Sequence, residues 1–188
     1  MNKQENIKIL LVCDNEADVV NIKYRVESHD NISFYIWQCP TLSEGIGYLD
    51  IKKLRADIVI LDLGLKGTET PKEAYRQMGI AADDIPIIVI TGKGSEEHDL
   101  AAFVMQSGAA DNMIRGEFSG LTDAMEFALI RQKITKDEKI KTDKTLQDSK
   151  DVGDAQNLKE KQDHQSHLSM FMGGYSASDH GSTDETEI

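Results

Sequence analysis

The sequence predicts an α/β fold in which a five-stranded parallel sheet carries helices on both faces and a mostly disordered tail follows. Apolar runs of strand length alternate with segments of helical period five times within about 130 residues. The runs are apolar almost throughout, which is typical of parallel strands buried on both faces. Beyond residue 134 the composition becomes polar and charged. We therefore divide the chain into a folded domain, residues 1–134, and a tail, residues 135–188.

Each predicted strand is a short run that contains aliphatic or aromatic residues and is bounded by polar or turn-forming residues. The five runs are residues 7–12, 32–37, 56–61, 86–90 and 111–114. Connections between parallel strands are right-handed crossovers, and five such units follow one another along the chain. We therefore expect the flavodoxin-like doubly wound sheet, with strand order 2-1-3-4-5.

The helices are predicted from apolar residues spaced three and four apart, and from residues that cap helix ends. The first helix spans residues 17–27 and the last spans residues 119–134. The start and stop signals of the others are Thr41 with Glu44, Thr70 with Pro71 and Glu73, and Ser95 with Gly108.

The composition argues against several classes of protein. No run approaches the roughly 18 apolar residues of a membrane span, and no basic-then-apolar leader opens the chain, so we expect a cytoplasmic protein. The net charge of −12 argues against general nucleic-acid affinity, which rests on basic patches. Cys13 and Cys39 follow neighbouring strands, and buried reduced thiols are favoured over a redox pair in that compartment.

The tail is acidic and holds few large apolar residues before Leu168. Residues 135–188 carry 12 acidic and 7 basic side chains. Such a segment cannot bury enough surface to offset its ordering entropy, so we expect it to be disordered, or helical only with a partner. Residues 168–175 are the exception, because their apolar cluster suits recognition of a downstream protein. The alternatives are that the cluster packs on the domain or has no role.

Polar residues stand where four of the predicted strands end. They are Asp14, Asp62, Thr91 and Arg115, after the first, third, fourth and fifth strands. Open α/β sheets bind ligands beyond the carboxyl ends of their strands, so these side chains are expected to share one crevice. Asp62 alone is weak support for a site, since an Asp in that place can merely cap a turn. Four polar strand ends together are stronger support.

These residue types suit phosphoryl transfer. Asp14, Asp62 and the Gly64 carbonyl offer the oxygen ligands that Mg²⁺ takes. An aspartate such as Asp62 can act as a nucleophile and form an acyl phosphate. The Thr91 hydroxyl and the Arg115 guanidinium would then bind phosphate oxygens.

Four segments carry a resemblance to a known family. They read ILLVCDNE at 9–16, DIVILDLGL at 57–65, IPIIVITG at 85–92 and GAADNMIRGE at 108–117. In their order and spacing, these segments make residues 7–134 resemble a response-regulator receiver domain. The resemblance implies phosphoryl acceptance on Asp62, Mg²⁺ ligation by Asp14, Asp62 and Gly64, and a switch hydroxyl at Thr91. It also implies a sensor histidine kinase or a phosphotransfer protein as the partner.

Three departures from that family surround the site. Receivers usually carry two acidic residues after the first strand, but here Cys13 stands in the first of these places, and a thiol is a poor ligand for Mg²⁺. Arg115 replaces a lysine, which is not a conservative change at a tight phosphate site. Asn112 replaces the aromatic switch residue. The alternative function is therefore a pseudo-receiver, a phosphorylation-independent interaction or scaffold module.

We predict a stand-alone response regulator of a two-component phosphorelay that signals through protein contacts and is not an enzyme. A DNA-binding output module would need more structured residues with a basic face, whereas the tail is short and acidic. An enzyme on the same fold, such as a flavoprotein or a phosphatase, is disfavoured. No Ser/Thr-rich phosphate loop follows the first strand, where a flavin would need one.

Overall fold

A computed structural model describes residues 6–28, 33–51 and 56–173 of the chain, with the backbone alone described at 148–149, 151–155 and 171–173. The strands are β1 (Asn6–Val12), β2 (Ser33–Cys39), β3 (Ile58–Asp62), β4 (Ile87–Thr91) and β5 (Asp111–Ile114). The helices are α1 (Glu16–Glu27), α2 (Leu42–Asp50), α3 (Pro71–Ala82), α4 (Ser95–Gln106) and α5 (Leu121–Gly173).

The five strands form one parallel sheet in the order β2-β1-β3-β4-β5. The predicted fold class and strand order are thus confirmed. Because every pair is parallel, all five carboxyl ends lie along one edge of the sheet. Strand β1 lies between β2 and β3, and its Leu10 pairs with Trp37 of β2 on one side and with Val59 of β3 on the other.

Alternation along the strands divides the core between the two faces of the sheet. Ile9 and Leu11 of β1 pack with α1 and α5, where Ile22 and Met125 are fully buried. Their neighbours in β1 pack in a second cluster with α3 and α4, around Met78. Burial on both faces explains why these strands read as continuous apolar runs.

Capping follows the predictions at two helices and departs from them at a third. The Thr41 and Thr70 hydroxyls accept hydrogen bonds from the N–H groups three residues on, at 3.2 and 3.1 Å, as the capping signals predict. The prediction that Ser95 caps α4 is wrong. Gly94 holds the N-cap position with φ +129°, and no side chain caps this helix. Glycine tolerates that conformation, so the chain turns one residue earlier.

Helix α5 extends beyond its predicted end at residue 134 and continues to Gly173. The segment contains no proline and is rich in Lys and Gln, which have high helix propensity. Chain contacts divide the protein into two units, residues 1–136 and 137–188. Every described side chain from 137 to 170 is exposed, so this part of the helix carries no core. Its description as disordered, or as helical only with a partner, stays a prediction.

Of the recognition segment 168–175, the described side chains Leu168 and Met170 are exposed. The side chains of 171–173 and all of residues 174–175 lie outside the described residues. Among the helices in the described part of the chain, none has the length and apolar character needed to cross a membrane.

Candidate functional site

The predicted strand-end residues lie along the carboxyl edge of the sheet, and some of them are in contact. Cys13 and Asp14 follow β1, Asp62 ends β3, Thr91 ends β4, and Arg115 follows β5. A backbone hydrogen bond of 2.8 Å from the Arg115 N–H to the Thr91 carbonyl holds the ends of β4 and β5 together. The sheet thereby sets the positions from which these side chains reach one another.

The centre of this edge is the carboxylate of Asp62, which is completely buried. Its Oδ1 accepts hydrogen bonds from the Gly64 N–H at 2.8 Å and from Nη2 of Arg115 at 2.5 Å. Its Oδ2 faces the Cys13 thiol, with Sγ at 3.5 Å. The acceptor proposed from the sequence is therefore held by a cation on one oxygen and by a weak thiol donor on the other.

A second buried carboxylate, Asp18, lies in the first turn of α1 and was not among the predicted site residues. Its Oδ2 lies 3.4 Å from Nε of Arg115, and neither atom has a hydrogen-bond partner. Asp18 stands four residues before the buried Ile22, so it occupies the apolar face of the helix. An acid on the buried face of a predicted amphipathic helix is the sequence signal that would have found it.

Burial shifts the ionisation of these groups. It raises the pKa of the Cys13 thiol to about 12, with the negative charge of Asp62 adding to the effect, so Cys13 is neutral at pH 7. Burial also raises the pKa of Asp18, against the opposing attraction of Arg115. For Arg115 itself, burial acts to lower the pKa, but the charges of Asp62 and Asp18 outweigh it and raise the pKa. Arg115 is thus the counter-ion of both carboxylates.

Asp14 lies beside this group and outside it. Its half-buried carboxylate accepts a hydrogen bond from the Lys66 N–H at 3.4 Å. Among the described residues, the candidate metal ligands that approach one another closely are those of Cys13, Asp18 and Asp62, whose ligand atoms lie within 4.8 Å of each other. The structure thus brings together a ligand group different from the predicted one.

Several solved structures that are similar to this chain are receiver domains. A response regulator receiver domain protein from Clostridium thermocellum is 22% identical, with 69% of this chain and 98% of that chain covered at a TM-score of 0.59. The signal receiver domain of a Vibrio parahaemolyticus protein is 24% identical, with coverage of 70% and 96% and a TM-score of 0.57. A CheY-like receiver domain protein from Methanospirillum hungatei is 19% identical, with coverage of 70% and 99% and a TM-score of 0.56.

This chain has the receiver fold. Neither the family models nor the curated proteins compared with the sequence give a match. The structural likeness, at identities below 25%, therefore establishes the fold, while the function has to be argued from the site.

The receiver fold implies a Mg²⁺ ion in an acidic pocket, but the donors of this pocket fit that ion poorly. Mg²⁺ takes oxygen ligands in near-octahedral geometry, whereas the close group includes the sulfur of Cys13. Oδ1 of Asp62 is already shared between Gly64 and Arg115. At this site, the guanidinium of Arg115 provides the positive charge.

Thr91, the predicted switch hydroxyl of the receiver fold, is directed toward β5. The hydroxyl is buried and lies 3.0 Å from Oδ1 of Asn112, which accepts its hydrogen bond. A cavity of about 170 Å³ beside the pair is lined in part by Ala101 and Ile114. An aromatic residue in place of Asn112 would have a larger side chain to fill such a space. Among the described contacts, Thr91 thus engages Asn112, and Arg115 engages Asp62.

Proposed function

We propose that this chain is a signalling module that accepts a phosphoryl group on Asp62 and signals through protein contacts. The observation that carries the proposal is the pairing of the Asp62 carboxylate with the Arg115 guanidinium at the carboxyl ends of β3 and β5. A carboxylate nucleophile beside a forked cation is the arrangement that phosphoryl transfer needs from a protein. The fold shared with receiver domains supports the same reading.

The proposed reaction uses Oδ2 of Asp62, whose one described partner is the Cys13 thiol at 3.5 Å. This oxygen forms a bond to the phosphorus of the donor while the bond from phosphorus to the donor's leaving group breaks. The product is an acyl phosphate on Asp62. The negative charge on the phosphoryl oxygens then needs a cation, and Arg115 is the cation within reach.

Access to Asp62 depends on Arg115. The Asp62 carboxylate has no exposed surface, whereas the Arg115 side chain is 36% exposed. Arg115 therefore covers the acceptor, and its guanidinium has to turn outward before a phosphodonor reaches Asp62. After transfer, the same guanidinium can bind the phosphoryl group in forked geometry.

The proposed partners are those of a phosphorelay in the cytoplasm. A sensor histidine kinase or a phosphotransfer protein would supply the phosphoryl group. A downstream protein would receive the signal, with the segment 168–175 as its proposed binding element. The described side chains of α5 from 156 to 170 are exposed, so Leu168 and Met170 of that segment are open to a partner.

The test is the intact mass of the full chain after incubation with a small acyl phosphate, with and without Mg²⁺. We expect the wild type and the exposed control Asp123→Asn to gain the mass of one phosphoryl group, and Asp62→Asn to gain none. Cys13→Asp replaces the sulfur with an oxygen donor, so it should bind Mg²⁺ more tightly and label more strongly. Labelling of Cys13→Asp without labelling of the wild type would overturn the proposal.

The second candidate function is the phosphorylation-independent interaction module. It is favoured by the closed state of the site, in which Arg115 contacts both Asp62 and Asp18 without an added ligand. In that case, the wild type stays unlabelled, and Asp62→Asn binds the physiological partner with unchanged affinity.

A further inference from the structure

The buried group at the carboxyl edge combines one sulfur and two carboxylates from three elements of the fold. Cys13 follows β1, Asp18 lies in the first turn of α1, and Asp62 ends β3. One ligand atom from each lies within 4.8 Å of the other two, and all three residues are buried. Acidic clusters on protein surfaces are common without an ion, but a buried set of this kind has a free-energy cost unless something neutralises it.

The charges of this group do not balance without a further cation. Two carboxylates face the single guanidinium of Arg115. One negative charge is therefore in excess in a buried place. A divalent cation that displaces the thiol proton adds two positive charges and creates one more negative charge. The group then becomes neutral, with three negative ligands, one divalent cation and Arg115.

Asp18 is the residue with which such a cation would interact most favourably. The side chain of Asp18 is 8% exposed, yet its buried Oδ2 accepts no hydrogen bond, and its contact with Arg115 is a 3.4 Å ion pair. A buried carboxylate oxygen without a hydrogen bond is rare, because it loses its hydration without compensation. Metal coordination would provide that compensation.

The ligand types select the class of cation. Zn²⁺ accepts thiolate and carboxylate ligands, at about 2.3 and 2.0–2.2 Å, usually in tetrahedral geometry. Two ligand atoms at these distances are roughly 3.5 Å apart, and the Cys13 Sγ to Asp62 Oδ2 distance is 3.5 Å. A thiolate ligand disfavours Mg²⁺ and Ca²⁺, which take oxygen. This pair can therefore hold a thiophilic ion without rearrangement, while Arg115 stays on the other oxygen of Asp62.

We propose that Cys13, Asp18 and Asp62 form a binding site for a thiophilic divalent cation of the zinc class. Cys13 loses its proton to solvent when the cation binds, and a water molecule completes the coordination. The site goes beyond the proposed phosphoryl transfer but shares Oδ2 of Asp62 with it, so a bound cation would occupy the oxygen that the transfer uses. Binding is measured without a phosphodonor, so either proposal can fail while the other stands.

The test uses the reduced full chain with Co²⁺ alone as a spectroscopic probe, followed by Zn²⁺ in competition. We expect one Co²⁺ per chain with a thiolate-to-cobalt absorption band in the near ultraviolet, and loss of the band when Zn²⁺ is added. The matched control is Cys39→Ser, because Cys39 is also a buried free cysteine but is not in the ligand group. The band should persist in Cys39→Ser and disappear in Cys13→Ser.

Affinity provides the second measurement. Cys13→Ser and Asp18→Asn should each weaken Zn²⁺ binding at least about tenfold, the smallest loss that even outer-shell changes typically cause. His164 and His167 on α5 can bind cobalt, but they produce no thiolate band. Circular dichroism checks folding, and Cys13→Asp is the substitute if Cys13→Ser is unfolded, with the same loss of the band expected. Absence of the band in the wild type, or its persistence in either Cys13 variant, would overturn the proposal.

Discussion

The Thr91 hydroxyl donates a hydrogen bond to Oδ1 of Asn112 across the junction of β4 and β5, at 3.0 Å. Thr91 is the buried last residue of β4, and Asn112 is the second residue of β5. A hydroxyl that already has a partner within the domain gains less by turning toward a phosphoryl group than a free hydroxyl would. The switch that we propose at Thr91 therefore has to break this hydrogen bond.

We predict that phosphorylation shifts the face of the fourth and fifth helices, α4 and α5, only modestly, because the Thr91–Asn112 bond has to break and Asn112 lacks aromatic bulk. Partner affinity should change by less than a hundredfold, or about 2.7 kcal/mol. Titration of the partner with phosphorylated and unphosphorylated chain measures this. Asn112→Ala removes the acceptor and should widen the difference. A hundredfold or greater change in the wild type would contradict the prediction.

Substitution of Arg115 should destabilise the domain, because Asp62 and Asp18 would keep buried charges without a counter-ion. Breaking a fully buried ion pair costs about 3–5 kcal/mol, and the partial exposure of Arg115 reduces the expected cost of Arg115→Met to about 2 kcal/mol. Urea unfolding at pH 7 measures it, with Arg115→Lys as a partial rescue. The same cost for the exposed Arg25→Met would show that the buried carboxylates are not responsible.

Asp18 should make stability fall as pH rises. Its pKa is raised above the ordinary value of 3.8 by burial, so the folded state favours the protonated form. The contribution of the protonated carboxyl to folding stability is fully present below the unfolded-state pKa, and it is lost as pH rises through the folded-state pKa. The stability of the wild type relative to Asp18→Asn should therefore decrease between pH 3 and pH 7. Urea midpoints measure it, and a relative increase would show that the Arg115 attraction outweighs burial.

Two glycines of α2 should respond to alanine in opposite directions. A Cβ on Gly45 would lie 2.7 Å from Cγ2 of the buried Val12 and 3.2 Å from Cε of Met78, whereas a Cβ on Gly47 would meet nothing within 4 Å. Gly45→Ala should destabilise by about 1–3 kcal/mol through overpacking. Gly47→Ala should stabilise by up to about 1 kcal/mol through helix propensity. Thermal unfolding of both variants tests the pair, and equal effects would contradict the packing argument.

Deletion of residues 168–188 should remove partner binding and leave the melting temperature of the domain unchanged. The reason is that the described side chains from 156 to 170 are exposed and contribute no core. Calorimetry and partner titration measure the two effects on the same preparation. A lower melting temperature with partner binding intact would show that the segment stabilises the domain and does not recognise a partner.

Most of the fold follows from local patterns in the sequence. A buried parallel strand needs an apolar run, and the run that leads into Asp62 was identifiable because both faces of β3 are covered. The Thr41 and Thr70 caps were identifiable because capping acts over three residues. The start of α4 was placed wrongly, because Gly94 adopts a backbone conformation that the propensity of Ser95 does not reveal.

The sequence by itself determined the sheet and the strand ends, and so it determined that Asp14, Asp62, Thr91 and Arg115 share one edge. Only the tertiary structure decided which of them touch. The Arg115 to Asp62 contact joins residues 53 positions apart, and the Thr91 to Asn112 contact joins residues 21 apart. Asp18 entered the site because helix α1 packs its apolar face, and the acid on that face, against the sheet. Which side chains contact each other across strands depends on their length and on their burial in the folded protein. The local hydrophobic periodicity of the sequence specifies neither.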